Sequence, residues 1–455
     1  MIAQQKSNTS KMNVLMIVAD DMGMQMSALN TPGLHTPAID SLVKNGVLLT
    51  RAYATFPSCS PSRTSFLTGT FPHVNGVTTN VNETLTKSSI PTPSNGGALN
   101  TNFAVKPNIT TLVEVLKEQG YYTGLTGKFH IPSAEKFPFD YWGKKVDASA
   151  FFESVAKSGK PFFLSYNFHS PHRPYQKSPY DREKVDLNSL AIPPFLPNNK
   201  LMQQDWSNYL GAIEATDNGV NDLLSVLKEK GLDQNTLIVF LSDHGPSVTR
   251  GKYYEYDFST RVPVVFCGPG ILKDLKTNAL ASLVDIMPTV LDILNFPIPN
   301  SVQGKSLKNL LKKNETTPNQ YVYSEVAFPR NGETNYQART IFDGRFWYIR
   351  RNGKSRMVGM PEDNYEEKLW GNLSYKATLE GKIDFPLQYN LMKSSEGTPP
   401  LEELYDTYSD PWNMHNISND AAYANALLTM QKAMDDWILK TDDREMVFTI
   451  KPIDN

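Results

Sequence analysis

Two pairs of metal-binding residue types follow two of the most apolar runs of the sequence. Asp20 and Asp21 come directly after NVLMIVA, and Asp243 and His244 come directly after TLIVFLS. Unbroken apolar runs of this length are typical of strands buried on both faces of a sheet, and open α/β sheets bind ligands at the carboxyl ends of such strands. If the two ends lie side by side, three carboxylates converge and a bound metal would neutralise them. Oxygen-rich ligation favours Ca²⁺ or Mg²⁺.

The stretch CSPSRTSFLTG places a thiol where chemistry is favoured. Cys59 is one of only two cysteines in 455 residues, and the other, Cys267, lies in the apolar run VPVVFCG and is predicted to be core. Pro61 suits the first turn of a helix that stops at Gly69, so Cys59 would lie at the positive helix end, with Arg63 one turn further on. A nucleophile or an anion is favoured there, although Cys59 could also be a small buried apolar residue.

The elements that must position these residues indicate an α/β fold. Helical spacing in TPAIDSLVKNG, in ITTLVEVLKEQG and over residues 205–230 alternates with the strand candidates YYTGLTG and KPFFLSYNF. This alternation predicts a mixed, mostly parallel central sheet with helices on both faces.

The pattern changes after about residue 320. YVYSEVAF and RTIFDGRFWYIRRNG alternate like antiparallel strands, and AYANALLTMQKAMDDWILK is an amphipathic helix. We therefore predict a polar tail over 1–12, a catalytic domain over 13–320, and a smaller C-terminal α+β domain with an antiparallel sheet over 321–455. Residues 78–108 and 176–200 are predicted long loops, a class that is often functional.

Composition and charge argue against a nucleic-acid-binding protein and against a membrane-spanning one. The net charge of −2 provides no global positive field for nucleic acid, and the sequence contains no apolar run of membrane-spanning length and no signal-peptide pattern. The compartment stays open, and any anionic substrate must be met by local cations.

The motifs together resemble the sulfatases of the alkaline-phosphatase superfamily. Their signature is Cys-x-Pro-Ser-Arg, a short helix and Thr-Gly, which CSPSRTSFLTG matches throughout, and the resemblance continues over residues 13–440. In that family the cysteine is oxidised to formylglycine, whose hydrated aldehyde is the nucleophile. The resemblance therefore implies an alkaline-phosphatase-like fold and a formylglycine at position 59.

Further family motifs supply the rest of the predicted active site. GLTGKFH resembles the Gly-Lys-x-His element, so Lys128 would bind a sulfate oxygen and His130 would hydrogen-bond the formylglycine and later deprotonate it. FHSPHRPY resembles the Pro-His loop, which makes His172 the general acid, and RGKYYEYDFSTRVP makes Lys252 the second sulfate-binding lysine. Arg63 would complete the positive surroundings of the sulfate.

The resemblance also implies that the metal ligands are Asp20, Asp21, Asp243 and His244. Many sulfatases have Asn where this chain has His244, although members similar to iduronate sulfatase and to phosphonate monoester hydrolase use histidine. We predict Ca²⁺, with Mg²⁺ and Mn²⁺ as alternatives because imidazole tolerates Mn²⁺.

Within the family the sequence is most similar to heparan N-sulfatase (sulfamidase), with iduronate-2-sulfatase next. Both imply a sulfated saccharide as substrate, with either an N–S or an O–S bond cleaved, and a formylglycine-generating enzyme as maturation partner. His169, Arg173 and Tyr175 are predicted substrate contacts, and the two long loops and the C-terminal domain would form the pocket rim.

Three alternatives stay open at this point. A phosphonate monoester or phosphodiester hydrolase of the same superfamily shares the cysteine motif and the Asp-His pair. A non-catalytic glycan-binding relative would keep the cysteine unconverted. A plain cysteine hydrolase would use the Cys59 thiolate itself.

Overall fold

The computed structural model describes residues 11–80, 104–143, 145–330, 333–354 and 372–449. Residues 1–10 of the predicted tail and 81–103 of the predicted loop 78–108 lie outside the described residues.

An eight-stranded sheet forms the centre of the first part of the chain. Its strands are β1 (Asn13–Ala19), β2 (Gly46–Tyr53), β3 (Tyr122–Gly127), β4 (Tyr141–Gly143), β5 (Phe162–Asn167), β6 (Thr236–Ser242), β7 (Arg261–Cys267) and β8 (Leu275–Ser282). The order is β4-β3-β5-β1-β6-β7-β2-β8, and among these eight strands only β7 runs antiparallel to its neighbours. The predicted mixed, mostly parallel sheet is therefore confirmed.

Helices cover both faces of this sheet. They are α1 (Pro37–Lys44), α2 (Cys59–Thr68), α3 (Pro72–Asn75), α4 (Leu112–Glu118), α5 (Ser149–Ser158), α6 (Lys200–Glu229), α7 (Asp257–Thr260), α8 (Ile286–Ile293) and α9 (Lys308–Lys313). Side chains alternate across β1, so Met16 joins the apolar cluster under α2, α4, α8 and α9, whereas Ile17 joins the cluster under α1, α5 and α6. Both faces are buried, which explains the unbroken apolar run of β1.

A second, antiparallel sheet follows. Its order is β12-β11-β10-β9, with β9 (Val322–Arg330), β10 (Glu333–Phe342), β11 (Phe346–Arg351) and β12 (Glu402–Asp406), and the helices of this part are α10 (Leu373–Glu380), α11 (Pro386–Ser394) and α12 (Ala424–Thr441). The apolar side of α12 packs on this sheet through Met430 and Met434. Ala377 of α10 and Leu391 of α11 instead join the cluster around α6. The boundary at residue 320 stays a prediction.

One helix begins earlier than predicted, and another ends where predicted. α6 begins at Lys200, five residues earlier than residue 205, because the Asn199 side chain caps it by accepting a hydrogen bond from the Met202 N–H. α2 begins at Cys59 itself and ends before Gly69, whose φ of 66° suits glycine. In the described ranges we find no helix with the length and apolarity that a bilayer crossing requires.

Candidate active site

The two acidic strand ends meet as the sequence predicts. β1 and β6 are parallel neighbours with Ala19 opposite Ser242, so the residues that follow them share one edge of the sheet. The Asp21 N–H donates to Asp243 Oδ1 at 3.1 Å, although the two residues lie 222 positions apart. Asp21 has a φ of 65°, a left-handed conformation in which aspartate is tolerated better than most residues.

The donor atoms at this edge fit a divalent cation. His244 Nδ1 lies 2.9 Å from the Gly245 carbonyl, which can only accept, so Nδ1 is the donor. With a single proton on the ring, the Nε2 lone pair then faces Asp21 Oδ1 at 3.2 Å. Two acceptors facing each other at that distance call for a cation or a proton between them. The potential ligand atoms lie within 4.8 Å of one another in three overlapping groups: Asp21, Cys59 and His244; Asp20, Cys59 and Asp243; and Asp20, Asp21 and His172.

Helix α2 presents Cys59 and Arg63 to this cluster. The Cys59 Sγ lies 3.2 Å from His244 Nε2 and 3.7 Å from Lys128 Nζ. One turn later, Arg63 Nε donates to Asp243 Oδ2 at 2.9 Å and its Nη2 donates to Asp20 Oδ1 at 3.1 Å. The guanidinium thus holds the two strand ends together.

Two buried lysines serve the two adjacent aspartates. Lys128 follows β3 and donates to Asp20 Oδ2 at 2.7 Å, and Lys252 Nζ lies 3.2 Å from both carboxylate oxygens of Asp21. Burial opposes ionisation of Asp20, but Lys128 and Arg63 outweigh it and hold the pKa of Asp20 well below its usual value. At Asp243 burial prevails over Arg63, so its pKa is raised. An additional cation near Asp243 would therefore be favourable.

The Cys59 thiol is a poor nucleophile in this environment. Its side chain is buried, and burial raises the pKa of Cys59 well above its usual value even though Lys128 and Lys252 lower it. A protonated thiol neither attacks sulfur nor binds metal well. This geometry disfavours the plain cysteine hydrolase.

His172 is the predicted general acid, and it faces Lys252. Its Nδ1 bonds to the Arg173 carbonyl, which leaves Nε2 as the acceptor for Lys252 Nζ at 3.0 Å. Burial, Lys252 and Lys128 lower the pKa of His172 to about 3. His172 is therefore neutral at neutral pH, and its proton for a leaving group must arrive through Nε2.

The other two predicted histidines follow β3 and β5 at the same edge of the sheet. His130 follows Lys128 by two residues, is half-buried and has a φ of 46°. His169 is exposed, and its carbonyl accepts the His172 N–H at 3.2 Å. Both therefore remain candidates for contacts with reacting groups or substrate.

Of the other predicted substrate contacts, Arg173 pairs with an acid of α6. Its side chain is buried, with Nη1 and Nη2 donating to the two oxygens of Asp205 at 2.8 and 2.5 Å and Nε donating to the Ser247 carbonyl at 3.1 Å. Arg173 thus ties the His172 loop to α6, and it also lines an adjacent cavity. Its contact with substrate stays a prediction. Tyr175 lies with its ring centre 4.4 Å from that guanidinium and lines the same cavity of about 1110 Å³.

Sequence reasoning missed Asn167. It ends β5, the other neighbour of β1, and its Oδ1 accepts a hydrogen bond from Arg63 Nη1 at 3.2 Å. The same rule that selected the residues after β1 and β6 would have found it, because a polar residue ends this apolar strand too.

Comparison with known proteins decides the family. A model of the Sulfatase family matches residues 12–153 and 146–296, and a model described as N-sulphoglucosamine sulphohydrolase, C-terminal, matches residues 249–363. The chain belongs to the sulfatase family. It is thus a sulfuric ester hydrolase, and formylglycine and a divalent metal are typical of its family.

Relatives cover nearly the whole of this sulfatase. An ulvan-active sulfatase of Formosa agariphila is 26% identical over 95% of this chain and 75% of its own length, and human N-sulphoglucosamine sulphohydrolase is 23% identical over 95% and 90%. A solved structure concerned with glycosaminoglycan metabolism by Bacteroides thetaiotaomicron has a TM-score of 0.73 at 19% identity, covering 97% of this chain and 99% of that one. Another, in complex with its substrate D-glucosamine-2-N,6-O-disulfate, has a TM-score of 0.64 at 18% identity, covering 95% and 99%. These structural likenesses show the shared fold.

Proposed function

We propose that this sulfatase removes sulfate from a sulfated sugar, cleaving a sulfate ester or a sulfamate. Its nucleophile would be a formylglycine made from Cys59 by a formylglycine-generating enzyme. The divalent metal, which we propose to be Ca²⁺, would be held by Asp20, Asp21, Asp243 and His244.

One observation carries this proposal. Position 59 lies at the start of a helix, within hydrogen-bonding distance of a metal-ligand type, His244, and of a cation, Lys128. Separate parts of the chain thus supply acidic ligands, a nucleophile position and sulfate-binding cations at one point. A purely structural cluster of acids would need neither a nucleophile nor cations that bind sulfate.

The formylglycine, the metal and the protein side chains would each contribute to catalysis. When present, the aldehyde hydrate supplies the nucleophilic oxygen and the metal supplies Lewis acidity toward the sulfate. The protein supplies fixed positive charge, because Lys128 and Lys252 can each hold a sulfate oxygen without reorganising. Arg63 keeps Asp20 and Asp243 aligned. The burial of these groups excludes water and strengthens every electrostatic interaction in the site.

Proton transfer to the leaving group would use His172. The contact between Lys252 Nζ and His172 Nε2 provides the atom through which His172 can gain a proton. An anionic sulfate beside them offsets the two lysine charges that keep the pKa of His172 low, so substrate binding promotes the acid form. The fixed Nδ1 contact with the Arg173 carbonyl keeps Nε2 directed at the site.

Two arguments support the sugar substrate and the metal. Relatives are named for ulvan, for N-sulphoglucosamine and for an endo-4-O-sulfatase activity, so sulfated glycans recur among them. Three carboxylates favour a hard cation such as Ca²⁺, whereas His244 also admits Mn²⁺.

The test is a panel of substrates assayed on a single batch of enzyme that was produced together with a formylglycine-generating enzyme. Released sulfate is measured with N-sulfated and O-sulfated glucosamine, with sulfated uronic acid saccharides, and with a phosphonate monoester and a phosphodiester. Turnover of one sulfated sugar above the others supports the proposal, and preference for the phosphorus substrates contradicts it.

Two controls on the same batch test the nucleophile and the metal. The peptide that contains position 59 should be about 18 Da lighter than its cysteine form. Chelation should remove activity, and Ca²⁺ should restore it better than Mg²⁺ or Mn²⁺. An active enzyme whose position 59 is entirely cysteine would contradict the formylglycine mechanism.

A further inference from the structure

Tyr253, the residue after Lys252, has a backbone conformation that suits glycine. The Tyr254 N–H donates to the Gly251 carbonyl at 3.0 Å, which closes a four-residue turn with Tyr253 at its third position. The φ of Tyr253 is 72°, in the left-handed region, where a bulky aromatic residue is an outlier. Strained residues of this kind cluster at functional sites, so the Tyr253 ring is a candidate for a functional contact.

Two anchors hold Tyr253 to the segment that carries Cys59. Its N–H donates to the Pro57 carbonyl at 2.7 Å. At the other end of the side chain, Asn80 Nδ2 donates to the Tyr253 hydroxyl at 2.9 Å, and Asn80 Oδ1 accepts the Ser60 N–H at 2.9 Å. Asn80 therefore connects the ring directly to the first turn of α2, beside the nucleophile position.

The ring borders the reacting groups and remains accessible. Lys252 Nζ lies 5.5 Å from its centre, and the same Nζ contacts Asp21 and His172. Lys252 and Asp21 are buried, whereas Tyr253 is half-buried. The ring is thus an apolar surface next to the point where a sulfate oxygen would meet Lys252.

We infer that Tyr253 is a specificity-determining residue, against which the apolar face of the sulfated sugar ring packs. Asn80 is its positioning residue. This inference rests on the proposed function, since it assigns a contact to the sugar that carries the sulfate. Aromatic rings pack well against apolar faces, and contact with a second ring orients the substrate without opposing the charges of the site.

The experiment compares Tyr253→Gly with wild type on the best sulfated sugar of the panel. Glycine suits the backbone and removes the ring, so we expect KM to rise roughly 3- to 10-fold, kcat to change less than threefold, and the unfolding temperature to stay equal or rise. Inhibition by inorganic sulfate, which has no sugar ring, should keep its wild-type Ki. Asp274→Gly is the matched control, because Asp274 also has a left-handed φ, 52°, but lies at the opposite edge of the sheet, and it should leave KM unchanged.

Two more variants test the assignment independently. Tyr253→Asn also suits a left-handed backbone and should reproduce the KM effect. Tyr253→Phe keeps the ring but loses the Asn80 bond, and Asn80→Ala loses both bonds of Asn80; each should raise KM less than Tyr253→Gly.

The possible outcomes separate the inference from the proposed function. An unchanged KM in both Tyr253→Gly and Tyr253→Asn would overturn the inference, as would equal increases in KM and in the sulfate Ki, which would place the effect on Lys252. A lower unfolding temperature with unchanged KM would make Tyr253 merely structural. A wild-type enzyme that turns over no sulfated sugar overturns the proposed function first.

Discussion

Two buried regions of this sulfatase are rich in charge, and they pair their charges differently. At the seam between the first part of the chain and the antiparallel sheet, formed by His73, Glu325, Arg339 and Asp443, each cation has its own anion. Arg339 donates to both oxygens of Asp443 at 2.6 and 3.0 Å, and His73 Nδ1 lies 2.5 Å from Glu325 Oε1. At the active site the charges are shared instead: Arg63 serves Asp20 and Asp243 together, and Asp21 faces both Lys252 and His244.

This difference distinguishes structural from functional charge. One-to-one pairing satisfies each buried ion and leaves nothing for a ligand, so the seam contributes to folding. Shared pairing keeps acids close to one another at a cost in stability, which is reasonable only if a ligand later occupies the space between them. Substitutions at the active site should thus reduce catalysis more than stability, and those at the seam should do the opposite.

The largest effect is expected for Asp21→Asn. Asparagine tolerates the left-handed backbone at this position, so the fold should persist, but a charged ligand of the proposed metal is lost. We expect kcat to fall on the order of 10³-fold or more, together with the metal content. Asp274→Asn, at another left-handed position, is the control and should retain full activity. Normal turnover by a metal-free Asp21→Asn variant would remove this residue from the metal site.

His172→Gln should reduce kcat by about 10² to 10³, the range in which positioned proton transfer contributes. The deficit should shrink for substrates with good leaving groups, such as aryl sulfates, because these need less protonation. Steady-state kinetics with a sugar and an aryl substrate measure both effects. His415→Gln changes an exposed histidine and serves as the control. An equal loss with both substrates would contradict the general-acid role.

At the seam, Arg339→Met should lower the free energy of unfolding by about 3 kcal/mol, because it leaves Asp443 buried without its cation. The kcat of the folded enzyme should stay within twofold of wild type. Denaturant unfolding and kinetics on the same sample measure the two quantities. Arg345→Met removes an ion pair with Asp406 in which Arg345 is half-exposed, and it should lower the stability far less than Arg339→Met, because solvent screens an exposed pair. If Arg339→Met instead destroyed activity in the folded protein, the distinction between the regions would fail.

The smallest effect concerns pH at the seam. Burial opposes protonation of His73, but Glu325 and Asp443 outweigh burial and the nearby Arg339, so the pKa of His73 is raised above 6.5. A raised folded-state pKa stabilises the protein fully below the unfolded-state value, and this stabilisation is lost as pH rises through the folded-state value.

His73→Gln should therefore destabilise the protein by about 1 to 2 kcal/mol near pH 6 and by less near pH 9. Unfolding temperatures of both proteins at the two pH values measure the difference. A larger loss of stability at pH 9 than at pH 6 would contradict a raised pKa of His73.

Much of the fold could be predicted because its signals are local. The run NVLMIVA is apolar throughout because β1 is buried on both faces, and the alternation in YVYSEVAF reflects a strand of the second sheet. The start of α6 was missed because the cap at Asn199 precedes the periodic apolar pattern. The packing of α10 on α6 was also beyond prediction, since the hydrogen bond from Asn199 to the Ala377 carbonyl joins residues 178 positions apart.

The active site was predictable only as a set of parts. The types of Asp20, Asp243 and Cys59 pointed to metal and anion chemistry, and the family resemblance added Lys128 and arranged them. The ion pair of Arg173 could not be predicted, since a sequence does not reveal that Asp205, on α6, faces it. Tyr253 gave no signal because its importance lies in a backbone angle and in a partner, Asn80, that is distant along the chain.

The sequence by itself determined which side chains are available and which strands are buried, because apolar periodicity and motif spacing are properties of short segments. The tertiary structure alone decided which charges are shared and which are paired one to one. That distinction depends on distances of about 3 Å between residues as many as 231 positions apart, and it is set by the register of β1 against β6 and by the entry of α2 beneath them.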